Sequence, residues 1–170
     1  MSPAGIPMFY GSEDPETALA ELRLASLTRL ATVGAWTTAR PLRFLDLVDV
    51  DVPSLFDMVG KSQRRWRLFL KAFADDVSLP ASPSGAAVDY VPTQVFTEYV
   101  RQVLGGSDPV RGIRYRSAMR PQSVSWVLFV DAGGRTEGAP GWEAHPGHWL
   151  ALEASSVRRF QAEASWTELE

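Results

Sequence analysis

The hydrophobic and polar positions of the chain fall into short apolar runs separated by turn chemistry, with only two long stretches of helical period. Ile6 to Tyr10 is an apolar run closed by Gly11 and predicts a strand. Ser12 to Pro15 then supplies helix-start chemistry, with Asp14 as N-cap and Pro15 at the first helical position. Within the helix predicted from about Pro15 to Ala25, Ala18, Leu22 and Ala25 recur at i, i+4 and i+7, so that side is expected to pack inward. Glu21 lies about 60° from Ala18, on the flank of this stripe.

Leu30 to Trp36 and Pro41 to Val48 are rich in strand formers, and the polar turn Thr37 to Arg40 between them predicts a hairpin. Between Ser62 and Ala74 the residues Trp66, Phe69, Leu70 and Phe73 mark the clearest amphipathic helix. After the irregular stretch Ser78 to Gly85, Tyr90 to Thr93 leads into a second helix through Leu104. Val95, Tyr99 and Val103 are expected on its inner side, and Gly105-Gly106 ends it. Gly112 to Ser117, Ser123 to Asp131, Trp149 to Glu153 and Val157 to Ala164 complete the strands, with Gly133 to Gly147 as loop. Strands grouped on either side of helices, without a regular βαβ alternation, predict an α+β domain with a compact mixed sheet over residues 1–170.

Composition narrows the chemistry. At 170 residues a chain buries roughly 70% of its unfolded surface, and 45% hydrophobic content is enough to fill one core. With no cysteine there is no disulfide framework, thiolate nucleophile or cysteine-held metal. The N-terminus has no cationic start followed by an apolar stretch, and the longest strongly apolar run is Trp126 to Val130, so a cytoplasmic protein with no membrane partner is expected. A net charge of −3 gives no general attraction to nucleic acid, and no direct nucleic-acid partner is expected.

Several signatures are missing: there is no Walker loop, dinucleotide glycine fingerprint or HExxH. His145 and His148 beside Glu143 offer metal-ligand types, but Pro146-Gly147 makes a turn between them and no third histidine exists, so an ordinary loop and no metal are expected. Lys61, Arg64, Arg65, Arg67 and Lys71 surround an apolar face as any solvated helix surface does. The constellation that remains is distributed: Tyr10 at a strand end, Glu21 on the following helix, Ser117 at the end of Gly-Ile-Arg-Tyr-Arg-Ser. Taken singly, these read as a core aromatic, a helix acid and a strand-ending hydroxyl.

Four segments together carry more. Ser2 to Gly11, Glu16 to Glu21, Tyr90 to Gln94 and Gly112 to Ser117 resemble, in order and spacing, successive motifs of the RES domain family. That family is named for an Arg, a Glu and a Ser, and includes bacterial toxins that degrade NAD and are commonly neutralised by a helix-turn-helix antitoxin. The resemblance implies a fold similar to the ADP-ribosyltransferase-like NAD-binding fold, NAD as substrate without a metal, and a possible antitoxin partner. It implies Glu21 and Ser117 as catalytic residues and Tyr10 as the substrate-binding aromatic of the cleft. The family's arginine lies ahead of the Ser-Pro-Ala-Gly stretch, where this chain has Met1. A domain truncated at its N-terminus is therefore expected, and a catalytically inactive, partner-binding module is the alternative to an active enzyme. Arg23, Arg29, Arg114 and Arg116 match no family arginine.

The implied chemistry has a physical basis. Cleaving the nicotinamide–ribose bond, by hydrolysis or phosphorolysis, develops positive charge on the ribose, as in glycoside cleavage through an oxocarbenium-like transition state. A carboxylate beside that ring lowers the barrier. Glu21 suits this task, Ser117 can donate to the nicotinamide amide or to ribose, and Tyr10 offers a stacking face.

Overall fold

The computed structural model describes residues 7–25, 30–57, 60–78, 91–104, 106–129, 135–136 and 149–161. They form an α+β domain of three helices, a mixed four-stranded sheet and two smaller sheets. The elements are β1 (Phe9–Ser12), α1 (Pro15–Ala25), β2 (Leu30–Val33), β3 (Trp36–Thr38), β4 (Phe44–Asp46), α2 (Lys61–Val77) and α3 (Val91–Gln102). They continue with β5 (Gly112–Arg116), β6 (Val124–Leu128), β7 (Arg135–Thr136), β8 (Leu150–Leu152) and β9 (Arg158–Gln161).

The main sheet runs β1-β6-β5-β4, antiparallel except for the parallel β4–β5 pair. Residues opposite one another across a ladder share a face. Tyr10, Val127, Ile113 and Leu45 therefore look to one side, and Phe9, Leu128, Gly112 and Phe44 to the other. On the first side Ile113, Tyr115 and Val127 join Leu70 and Phe73 of α2 and Phe96 and Val100 of α3 in the larger core. The Phe73 and Phe96 rings, 4.2 Å apart between centroids, lock the two helices together. On the second side Leu128 packs with Trp149 and Leu150, backed by Phe9, Trp36, Phe44 and Trp126. With both faces covered, β5 and β6 are the most deeply buried strands.

Several local expectations are corrected. The hairpin between Leu30 to Trp36 and Pro41 to Val48 does not form: β2 pairs with β9, β3 with β8, and β4 with β5. The first segment breaks at Gly34 and Ala35, where the Ala35 N–H donates to Ser156 Oγ and its carbonyl accepts from Glu153 N–H. The β3–β8 and β4–β5 pairings set Trp36 and Phe44 against Leu128, Trp149 and Leu150, burial that a local hairpin would not provide. The first strand is Phe9–Ser12, continuing through Gly11 because it pairs with β6 as far as Ser12 opposite Ser125. On α3 the expected inner residues Val95, Tyr99 and Val103 are exposed, and Phe96, Thr97 and Val100 are buried instead. Both stripes have helical spacing, and the one bearing the phenylalanine that meets Phe73 faces the core. On α1, Leu22 is exposed and Thr17 is buried. On α2, Leu70 and Phe73 are buried as expected, whereas Trp66 and Phe69 remain over 40% exposed. Of the predicted loop from Gly133 to Gly147, Arg135–Thr136 form a strand parallel to β8; His145, His148 and Glu143 lie outside the described residues. No helix among the described residues is long and apolar enough to cross a membrane.

Gly112 is needed for close approach, not for its φ. A Cβ there would overlap the Val127 carbonyl and come within 2.7 Å of Phe44 Cε1. Gly112→Ala is expected to destabilise the domain by about 1–3 kcal/mol, read as a lower urea midpoint at unchanged m-value.

Candidate active site

The site begins at the cap of α1. Thr17 N–H donates to Asp14 Oδ1 and Thr17 Oγ1 to Asp14 Oδ2, both at 2.7 Å. These two bonds, the hydroxyl first, hold the Asp14 carboxyl down at about 2. The cap fixes the phase of the helix, so Asp14, Thr17 and Glu21 at i, i+3 and i+7 share one face and Thr17 is fully buried. Glu21 thus sits, partly buried, on the stripe that carries the buried Thr17.

Ser117 follows the last residue of β5 and is 1% exposed. Its N–H donates to Ser123 O at 3.0 Å, closing the connection to β6. Its hydroxyl donates to Glu21 Oε1 at 2.5 Å and accepts from the backbone N–H groups of Met119 (3.2 Å) and Arg120 (3.1 Å). The donor distance is that of a charge-assisted bond to a carboxylate. From the same turn, Arg120 Nη1 donates to Asp14 Oδ1 at 3.3 Å. The loop after β5 is therefore fastened to α1 at two points, the cap and the second turn.

Tyr10 lies on the same sheet face as Tyr115 and is half-exposed. The Tyr115 hydroxyl is pushed well above the usual tyrosine range by burial first, then by the negative charge of Glu21 and by Tyr10. It stays a neutral hydroxyl at physiological pH. Ser12 Oγ and the buried Ser125 Oγ lie 3.3 Å apart on the same face. The structure thus brings Glu21 and Ser117 into contact, while Tyr10 stands on the same sheet face as Tyr115. Sequence reasoning passed over Tyr115 and Arg120. The alternation of Gly-Ile-Arg-Tyr-Arg-Ser puts Tyr115 on the Ser117 side, which is a readable signal; the reach of Arg120 to Asp14 leaves none.

Other charged residues are engaged elsewhere. Arg114 bonds Asp46 and Glu13 and lies over the Trp126 ring, and Arg116 bonds Asp49. On α2, Arg67 bonds the Asp51 carbonyl and Gln63, as a solvated helix face does. No group of three His, Asp or Glu residues suited to a metal occurs among the described residues. Two clefts lie away from Glu21: an apolar groove of about 500 Å³ lined by Trp66, Phe69 and Tyr99, and a polar cleft of about 410 Å³ lined by Arg116, Asp49 and Lys71.

An α+β domain with a carboxylate and a serine joined across a sheet end defines a candidate enzyme site without assigning a reaction. Comparison with known families supplies the class: residues 1–147 match the RES domain, and the chain belongs to the RES domain family. No curated protein and no solved structure matches it.

The cap generates a pH prediction. Because the Asp14 carboxyl is depressed from 3.8 to about 2 by folding, its ionisation stabilises the fold fully above 3.8. That contribution is lost as pH falls through about 2. In urea unfolding, Asp14→Ala is expected to be less stable than wild type at neutral pH, and the difference is expected to shrink between pH 3.8 and 2. A difference independent of pH would exclude the carboxylate as its source.

Proposed function

We propose that this RES domain degrades NAD by cleaving the nicotinamide–ribose bond, with Glu21 as the carboxylate beside the ribose. The single observation that carries this reading is the Glu21–Ser117 bond, formed by residues 96 positions apart in the chain. A partly buried carboxylate stabilises developing positive charge more strongly than one in bulk water, because the interaction grows as the effective dielectric falls. Tyr10 is exposed enough to offer its ring to the base or nicotinamide, and Tyr115 contributes a neutral hydroxyl near the same carboxylate. Nicotinamide leaves as a neutral molecule, so the leaving group needs no strong acid. Water or phosphate serves as the acceptor of the ribosyl group. In a cell this reaction acts as a toxin by depleting NAD, and a helix-turn-helix antitoxin is the proposed counterpart.

A second reading, a partner-binding module without turnover, is favoured by the exposed aromatic groove of α2 and α3. Nicotinamide release separates the two. Purified chain with NAD, with and without phosphate, is expected to release nicotinamide, and Glu21→Ala is expected to lower kcat by about 10²–10⁴-fold. Tyr10→Ala is expected to raise KM about five- to tenfold through lost stacking, worth roughly 1 kcal/mol. No release above the Glu21→Ala control would favour the partner-binding module.

A further inference from the structure

We infer that Ser117 does not touch the substrate and acts on it only through Glu21, as a positioning residue. The inference rests on the proposed NAD-degrading reaction and assigns a division of labour within it. A serine hydroxyl has one proton to donate and two lone pairs to accept with. All three are engaged in the folded protein: the proton with Glu21 Oε1, the lone pairs with the N–H groups of Met119 and Arg120. With 1% of its surface exposed, the residue has neither a free hydrogen-bonding direction nor an open path to a ligand. A contact with nicotinamide or ribose would require breaking one of these bonds and leaving a buried polar group unsatisfied.

The carboxylate is arranged in the opposite way. Oε1 is held by the serine, while Oε2 has no hydrogen-bond partner among the described residues. The two backbone N–H groups aimed at Ser117 Oγ polarise its O–H bond, which strengthens the donation to Oε1. The serine thereby selects one Glu21 rotamer and presents Oε2 to the ribose. Positioning errors of about 1 Å in such a group cost roughly 10²-fold in rate. The turn Ser117 to Arg120 is held in place by Arg120 on Asp14, so the backbone N–H groups do not drift from the hydroxyl.

The test is a double-mutant cycle on the full chain with NAD, reading kcat, KM and the calorimetric Kd. Ser117→Ala is expected to lower kcat about 10–100-fold with KM within about threefold, the signature of a lost orientation and not of a lost contact. In a Glu21→Ala background, adding Ser117→Ala is expected to change neither residual turnover nor the Kd for NAD by more than about threefold. Should Ser117→Ala not fold, Ser117→Cys, close in volume and a weaker donor, takes its place with a smaller loss in the same direction. A Ser117 variant that raises KM and Kd more than about tenfold, or a double variant clearly weaker than Glu21→Ala, would assign Ser117 to the substrate and overturn the inference. Urea unfolding of the same four proteins reads the Ser117–Glu21 coupling without NAD. Coupling in a chain that neither binds nor cleaves NAD would mark the bond as structural alone, overturning both this inference and the proposed reaction. Turnover with an extra loss in the double variant overturns the inference only.

Discussion

The alternation of β5 is the constraint on which the rest of the molecule hangs. Its neighbour β6 pairs along its whole length and β4 along Gly112 to Arg114, and side chains leave it on opposite faces at each step. Ile113 and Tyr115 go into the helix-covered core, while Gly112 and Arg114 face the side packed by Phe44, Trp126, Trp36 and Trp149. Ser117, one step beyond the strand, keeps the phase of Ile113 and Tyr115 and so arrives at α1. A one-residue slip in this strand would turn Ser117 away from Glu21 and drive Arg114 and Arg116 into an apolar core. The burial that holds the strand in register also places the hydroxyl.

The second element of the site is positioned by different physics. Helix α1 is short, and Asp14, Thr17 and Glu21 share one stripe that carries the fully buried Thr17, while Leu22 is exposed. Hydrogen bonds along this stripe hold its orientation. The Asp14 carboxylate accepts from Thr17 twice and from Arg120 once, tying the start of the helix to the same turn that carries Ser117. Two fastenings two helical turns apart remove rotation about the helix axis and sliding along it, which a single bond at Glu21 would allow.

How much of this was legible in the sequence follows from how local each determinant is. The α1 cap is local chemistry: Asp14 with Pro15 predicts the helix start, and the helix spans Pro15–Ala25 as expected. The β5 and β6 strands were also readable, β5 from the alternation of Ile113 and Tyr115 with Arg114 and Arg116, and β6 from Val124, Trp126, Val127 and Leu128. The pairing of β2, β3 and β4 was not, since Leu30 to Val48 holds good strand formers whose partners lie far along the chain at β8, β9 and β5. The inner face of α3 was ambiguous in principle, with Val95, Tyr99 and Val103 spaced like Phe96, Val100 and Leu104. Only the approach of Phe73 from α2 distinguishes them. Tyr10, Glu21 and Ser117 came from family resemblance, because a serine and a glutamate 96 residues apart carry no spacing signal of their own.

The polar surroundings of Glu21 bear on what the proposed reaction selects. The Ser117 hydroxyl donates to that carboxylate, and the buried Tyr115 hydroxyl is held neutral partly by its negative charge. A hydroxyl stabilises a carboxylate by donation without cancelling its charge. A guanidinium in direct contact would have fixed the carboxylate equally well but neutralised it, and would have weakened the stabilisation of a cationic ribosyl centre. The Arg120 guanidinium, from the same turn as Ser117, is turned to Asp14 at the helix start instead. Orientation of Glu21 by a hydroxyl, with the cation kept at the cap, leaves a positioned negative charge, and a reaction that passes through an oxocarbenium-like state requires that charge.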